Sequence, residues 1–256
     1  MTDTESGASE FDAPFVFSAD GSKSLYFTFD ALQSRMSSAR PTQLDVDYTR
    51  TMMGFLMFDS HPVNIAMIGL GGGSLLKFCY RHLPDARLTV IEINPHVIAL
   101  RQEFAVPEDE ERIAIVCADG ADFVRTLPSE ISSRYDVLLV DGFDSQGQAA
   151  SLCSQQFYDD CFRALSPAGI MVVNLHHDHP DYAVFTGRIS LAFDGNLLEV
   201  ASKEKSNSIL FARKGRRISV DELRQNDPLE HFDQEVRAQL QREFSRISWD
   251  ITQPAW

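Results

Sequence analysis

Apolar and polar positions change rhythm along this chain. Between residues 65 and 174, five short runs are apolar almost throughout: 65–69, 88–92, 113–117, 136–141 and 169–174. Between them lie stretches with apolar residues every three or four positions, at 74–82, 95–104, 120–127 and 154–165. A strand that does not alternate is buried on both faces, and strands of this kind separated by helices predict a parallel sheet covered on both sides. Two further runs, 197–201 and 208–213, close the sheet and include an antiparallel member. The predicted fold class is α/β, a doubly wound, mostly parallel sheet.

The flanks follow other patterns. Residues 1–12 are small and acidic and read as a disordered tail. Residues 13–42 form a β appendage: β-prone runs at 14–18 and 24–29 flank Asp20-Gly21, a hairpin signal, and 31–36 supplies a third strand. Past Pro41 a helix is expected over 45–58, with Val46, Met53, Phe55 and Leu56 on its apolar side. The main domain spans 43–215. In 216–256, Val220, Leu223, Leu229, Phe232, Val236, Leu240, Phe244 and Ile247 recur at helical spacings among charges. This is an amphipathic helical tail, suited to packing on the domain or on a second copy of the chain.

Composition narrows the function classes. The 256 residues are 44% apolar and 23% charged, ordinary globular usage with enough length for a sizeable core. No apolar run approaches the roughly 20 residues of a membrane-spanning helix. With 23 basic against 37 acidic residues the net charge is -14, which disfavours a nucleic-acid partner and suits a cationic substrate. Cys79, Cys117, Cys153 and Cys161 form no C-x-x-C pair, and residues 1–12 carry no export signal. They are expected as reduced thiols in a cytoplasmic protein.

In open α/β sheets ligands sit beyond the carboxyl ends of the strands, and here those ends carry suggestive residues. The first is followed by Gly69-Leu70-Gly71-Gly72-Gly73-Ser74, a turn that lets a ligand approach backbone N–H groups at a helix N-terminus. Glu92 ends the second, about 20 residues on, where an acid accepts from ribose hydroxyls. Asp119 and Gly120 follow the third, the carboxylate within reach of an adenine amino group. Asp141 and Asp144 follow the fourth, a pair able to hold a cationic amine and take its proton. After the fifth comes His176-His177-Asp178-His179. Adjacent residues rarely converge on one ion, so no metal is expected, and His176 is a candidate for the acceptor side.

The segment Asp141-Gly-Phe-Asp144-Ser-Gln-Gly147-Gln, with the Phe157-Tyr158 that follows, resembles the D-x-x-D-P-x-G-P region of the spermidine synthase family, the polyamine aminopropyltransferases, kin to class I methyltransferases. Gln33, Tyr48, the glycines, Glu92 and Asp119-Gly120 also match, and the resemblance runs from about residue 33 to 214. It implies a methyltransferase-like Rossmann fold and transfer of an aminopropyl group from decarboxylated S-adenosylmethionine to an amine, releasing methylthioadenosine. Asp141 would be the base and Asp144 its helper. Gln33, Gly69, Gly71, Gly73, Glu92, Asp119 and Gly120 would bind the nucleoside; Tyr48, Asp144 and His176 would bind the amine. The donor would be a co-substrate rather than a tightly bound cofactor, and the protein a homodimer without nucleic-acid or membrane partners. The chain departs from the family where Gly72 replaces an aspartate, where Ser145 and Gln148 replace prolines, and where Lys203-Glu204-Lys205-Ser206-Asn207 replaces a P-T-Y-type segment. These departures keep open a methyltransferase using S-adenosylmethionine itself, or a nucleoside-binding protein without efficient catalysis.

Overall fold

The computed structural model describes residues 11–28, 31–128, 130, 134–144, 147–202, 206–219 and 227–252. Strands β1 (Phe15–Ala19), β2 (Ser22–Thr28) and β3 (Ala31–Ser37) form a three-stranded antiparallel sheet. Asp20 and Gly21 both take positive φ, 49° and 72°, the handedness that a two-residue hairpin turn requires. Helix α1 (Asp47–Met52) tightens into a 3-10 turn, Met53–Met57, instead of running as one helix to residue 58.

The main sheet has seven strands. In chain order they are β4 (Asn64–Ile68), β5 (Arg87–Glu92), β6 (Ile113–Cys117), β7 (Tyr135–Val140), β10 (Leu165–His176), β11 (Leu197–Ala201) and β12 (Asn207–Arg213). In space the order is β11-β12-β10-β7-β4-β5-β6, and the antiparallel pairings are those of β12 with β10 and β11. The chain builds outward from β4 to β6, then returns to lay β7 on the other side of β4. That reversal opens a crevice at the carboxyl ends of β4 and β7, the usual ligand position in such sheets. A two-stranded ribbon, β8 (Phe143–Asp144) with β9 (Gly147–Gln148), rises beside it.

Helices cover both faces, and the period of two along each strand divides the core between them. Ile65, Met67, Val137 and Leu139 pack with α1, α2 (Ser74–His82), α3 (Pro95–Ala99) and the C-terminal helix α7 (Gln234–Thr252). Ala66, Ile68, Leu138 and Val140 pack with α4 (Gly120–Thr126), α5 (Gln155–Ala164) and α6 (Tyr182–Ala192). Helix α3 stops at Ala99, short of the expected 104, and Ala105 takes a positive φ as the chain turns away. Cys79, Cys153 and Cys161 are buried and Cys117 is exposed, all as free thiols. Among the described residues no helix is long and apolar enough to cross a membrane.

The apolar tail pattern is explained by packing on the chain's own domain. Val236, Leu240, Phe244 and Ile247 of α7 are buried against α1 and the 3-10 turn; Val220 and Leu223 lie outside the described residues. A polar clamp fixes the contact: Thr51 Oγ1 donates to Glu243 Oε1 at 2.5 Å, and Arg246 bonds Glu243 and the Ala201 carbonyl. Leu240 is fully buried, so Leu240→Ala is expected to cost about 2–5 kcal/mol in urea unfolding. A change within error would mean that α7 does not brace the domain.

Candidate active site

The glycine turn after β4 meets the end of β7 with almost no clearance. Gly69 takes φ 97°, and any side chain there would run into the Asp141 carbonyl. Only glycine permits both the dihedral and the approach. Two backbone bonds then hold the strand ends in register: Gly69 N to Ile91 O at 2.8 Å and Asp141 N to Ile68 O at 2.9 Å.

Beyond these ends lies a cavity of about 410 Å³. Of the residues singled out in the sequence, Gln33, Tyr48, Gly69, Gly71, Glu92, Asp119, Gly120 and Asp141 line it. Gly73 caps the amino end of α2 instead, with φ 67°. Asp144 sits in β8, and its side chain lies outside the described residues. His176 does not line the cavity: its ring packs on Phe143, which does, with centroids 4.8 Å apart, and its Nδ1 lies 3.2 Å from Ser206 Oγ. Lys203, Glu204 and Lys205 fall outside the described residues.

Glu92 organises the glycine turn. Its Oε2 accepts from Leu70 N and its Oε1 from Asn94 N, both at 2.8 Å. The backbone N–H groups of Gly71 and Ile93 also face this carboxylate. Burial raises its pKa, opposed by the backbone donors. Asp119 caps α4, with Oδ1 accepting from Ala121 N at 2.7 Å and Asp122 N at 3.0 Å. Beneath the turn, Lys77 is buried and donates to the Phe104 carbonyl at 2.7 Å; burial pulls its pKa down to about 8. At Gly72 a Cβ would lie 2.5 Å from Ser34 Oγ and 3.0 Å from Phe104, so a larger residue there requires these side chains to shift.

Asp141 is held from two sides. Tyr48 on α1 donates its phenol to Oδ2 at 3.0 Å, and Asn174 near the end of β10 donates Nδ2 to Oδ1 at 2.8 Å. Burial raises the Asp141 carboxyl pKa, while these two donors oppose the shift. Burial and the adjacent carboxylate hold the Tyr48 phenol well above its ordinary value, so it remains a donor. Asp141 thus opens onto the cavity with its carboxyl pKa raised by burial.

Several lining or supporting residues were not picked out from sequence. Asn94 Nδ2 donates to the Asp12 carbonyl at 2.9 Å, and both Phe11 and Asp12 line the cavity although they belong to the segment read as tail. Asn174 does carry a sequence signal, since it ends an apolar run as Glu92 and Asp141 do. Among the described residues no three His, Cys, Asp or Glu side chains cluster as metal ligands. His176 and His179 go to separate partners, Ser206 Oγ for the first and Asp181 N for the second, which donates to His179 Nδ1 at 3.0 Å.

A sheet of this order with a glycine turn and an acid after its second strand defines a methyltransferase-like Rossmann protein. Human methyltransferase-like protein 13, solved in complex with SAH, shares the fold at TM-score 0.63 and 21% identity, over 82% of this chain and 95% of its own. The chain belongs to the spermine/spermidine synthase family, whose domain matches residues 46–183. The polyamine aminopropyltransferase of Chromobacterium violaceum is 38% identical over 191 residues, 74% of this chain and 72% of that protein. A probable spermidine synthase from Corynebacterium glutamicum superposes at TM-score 0.70 with 18% identity, covering 90% of this chain and 82% of its own. The chain is thus a transferase of the polyamine aminopropyltransferase type.

The Asp141 environment has a measurable consequence. A carboxyl whose folded pKa is raised favours folding while protonated, and that contribution is lost as pH climbs through the folded value. Ionised Asp141 then costs stability near neutrality. Asp141→Asn is expected to be more stable than wild type to urea at about pH 8, the advantage shrinking toward about pH 4. A variant less stable at the higher pH would contradict this environment.

Proposed function

We propose that this protein transfers an aminopropyl group from decarboxylated S-adenosylmethionine to a small amine, with Asp141 as the base. The nucleoside would lie with its ribose on Glu92 and its adenine toward Asp119 and Gly120, and Gln33 would contact the donor near the glycine turn. Tyr48, Asp144 and His176 belong to the amine side, His176 through the Phe143 ring. The observation that carries this reading is the half-buried Asp141 carboxylate, aimed into the cavity and held by Tyr48 and Asn174.

The chemistry asks little of the protein beyond placement and proton removal. An acceptor amine is protonated in water and has no free lone pair, so it must lose a proton to attack. Asp141, made more basic by burial, accepts it. The amine lone pair then forms a C–N bond to the propyl carbon beside the sulfonium. The C–S bond breaks with both electrons moving to sulfur, and methylthioadenosine leaves as a neutral thioether. The leaving group is activated before it reaches the protein, so alignment and exclusion of water supply much of the remaining rate.

The proposal separates two residues cleanly. Asp141→Asn is expected to lower kcat by about 10²–10⁴-fold while leaving methylthioadenosine affinity unchanged by calorimetry. Retained turnover would remove Asp141 from the base role. Glu92→Ala is expected to weaken methylthioadenosine binding by about 1–3 kcal/mol, the scale of a lost charged partner. Unchanged affinity would mean that the nucleoside lies elsewhere.

A further inference from the structure

The donor that faces Asp141 on β10 is itself held from behind. Asn174 and Asn207, on the antiparallel neighbours β10 and β12, are both buried, 1% and 2% exposed. Asn207 Nδ2 donates to Asn174 Oδ1 at 2.9 Å, and Asn174 Nδ2 donates to Asp141 Oδ1 at 2.8 Å. A carboxylate can only accept, so an ionised Asp141 requires the NH2 end of Asn174 toward it. The carbonyl end must then face Asn207, and a buried carbonyl needs a donor. Asn207 supplies one. Were Asn174 turned over, its carbonyl would face Asp141, an arrangement that suits only the protonated acid.

We propose that Asn207, which lies outside the cavity, is a positioning residue for proton transfer: it fixes the amide of Asn174 in the one orientation that favours the ionised base. The same segment steadies the opposite side of Asp141. The Asn207 carbonyl accepts from Ser202 N at 2.8 Å, and Ser202 Oγ donates to Asp47 Oδ2 at 2.8 Å, one residue before Tyr48. Ser202 and Asn207, bonded to each other at the adjoining ends of β11 and β12, thereby tie together both donors on the base. The inference rests on Asp141 acting as the base, but the orientation it describes exists whether or not transfer occurs.

Several titratable or charged groups stand on the elements around Asp141. On α1 they are Tyr48, which touches it, and Asp47 and Arg50, which pair with each other. Glu92 ends β5, and His176 ends β10 beside Ser206 Oγ. The Asp144 side chain lies outside the described residues. Ser206→Ala, on the same segment as Asn207 but outside the relay, is the control for indirect effects through His176.

The test is a pH titration of the unliganded protein labelled with ¹³C at aspartate carboxyl carbons, with the Asp141 signal assigned by its loss in Asp141→Asn. In Asn207→Leu the Asp141 carboxyl is expected to titrate about one pH unit higher than in wild type, a tenfold rise in proton affinity. Asn207→Ser, too short to reach Asn174, is expected to shift it the same way and serves if the leucine variant does not fold. Ser206→Ala is expected to leave the titration in place. An unmoved titration in a folded Asn207 variant overturns the proposal, even if its melting temperature falls, because a merely structural role would affect stability alone. A shift as large in Ser206→Ala would also overturn it. Where transfer is measured, the acid limb of kcat/KM is expected to move with the carboxyl. Absence of transfer in wild type would count against the proposed function and leave the NMR titration to decide the relay.

Discussion

A carboxylate drawn partly out of water must be stabilised by donors, or it takes up a proton and ceases to be a base. Asp141 meets this requirement through one phenol and one amide, each donating to a different carboxylate oxygen. Much of the architecture can be traced to placing those two groups. Tyr48 rides on α1, which α7 braces through Thr51 and Glu243. Asn174 rides on β10, paired with β7 on one side and β12 on the other. Asp141 is therefore held by segments far apart in the chain.

The side of the cavity proposed for the nucleoside is built differently. Its acid, Glu92, uses both carboxylate oxygens to hold backbone N–H groups of the glycine turn and of the α3 cap. The side chain that shapes the turn thus also lines the cavity. The turn also explains the departure at Gly72. Ser34 Oγ and Phe104 fill the space a side chain would need, so the smaller residue is matched by its surroundings rather than standing over a gap.

The sheet was legible because its strands are apolar throughout and break sharply at glycine or acid residues. Glu92, Asp119 and Asp141 were found by the same rule, since the carboxyl ends of parallel strands are where such a fold exposes polar groups. The rule was carried less far than it reaches, for Asn174 ends an apolar run in the same way. Asn207 offered no such signal: it is one polar residue in a charged stretch, and its partner is 33 residues away. Phe11 and Asp12 were missed because an acidic, small-residue segment looks frayed until Asn94 is seen to hold its backbone. His176 shows the limit of the same rule: it ends β10, yet its side chain reaches the cavity wall only through the ring of Phe143. Helix limits failed where the chain tightened or turned, at Met53 and after Ala99, which periodicity does not report.

The most direct measurement is to incubate the protein with decarboxylated S-adenosylmethionine and a small diamine, and in parallel with S-adenosylmethionine and the same amine, and to follow nucleoside products by mass spectrometry. Methylthioadenosine is expected from the decarboxylated donor, in step with an amine lengthened by one aminopropyl group. S-adenosylhomocysteine from the intact donor, or no nucleoside product from either, would contradict aminopropyl transfer as the reaction of this site.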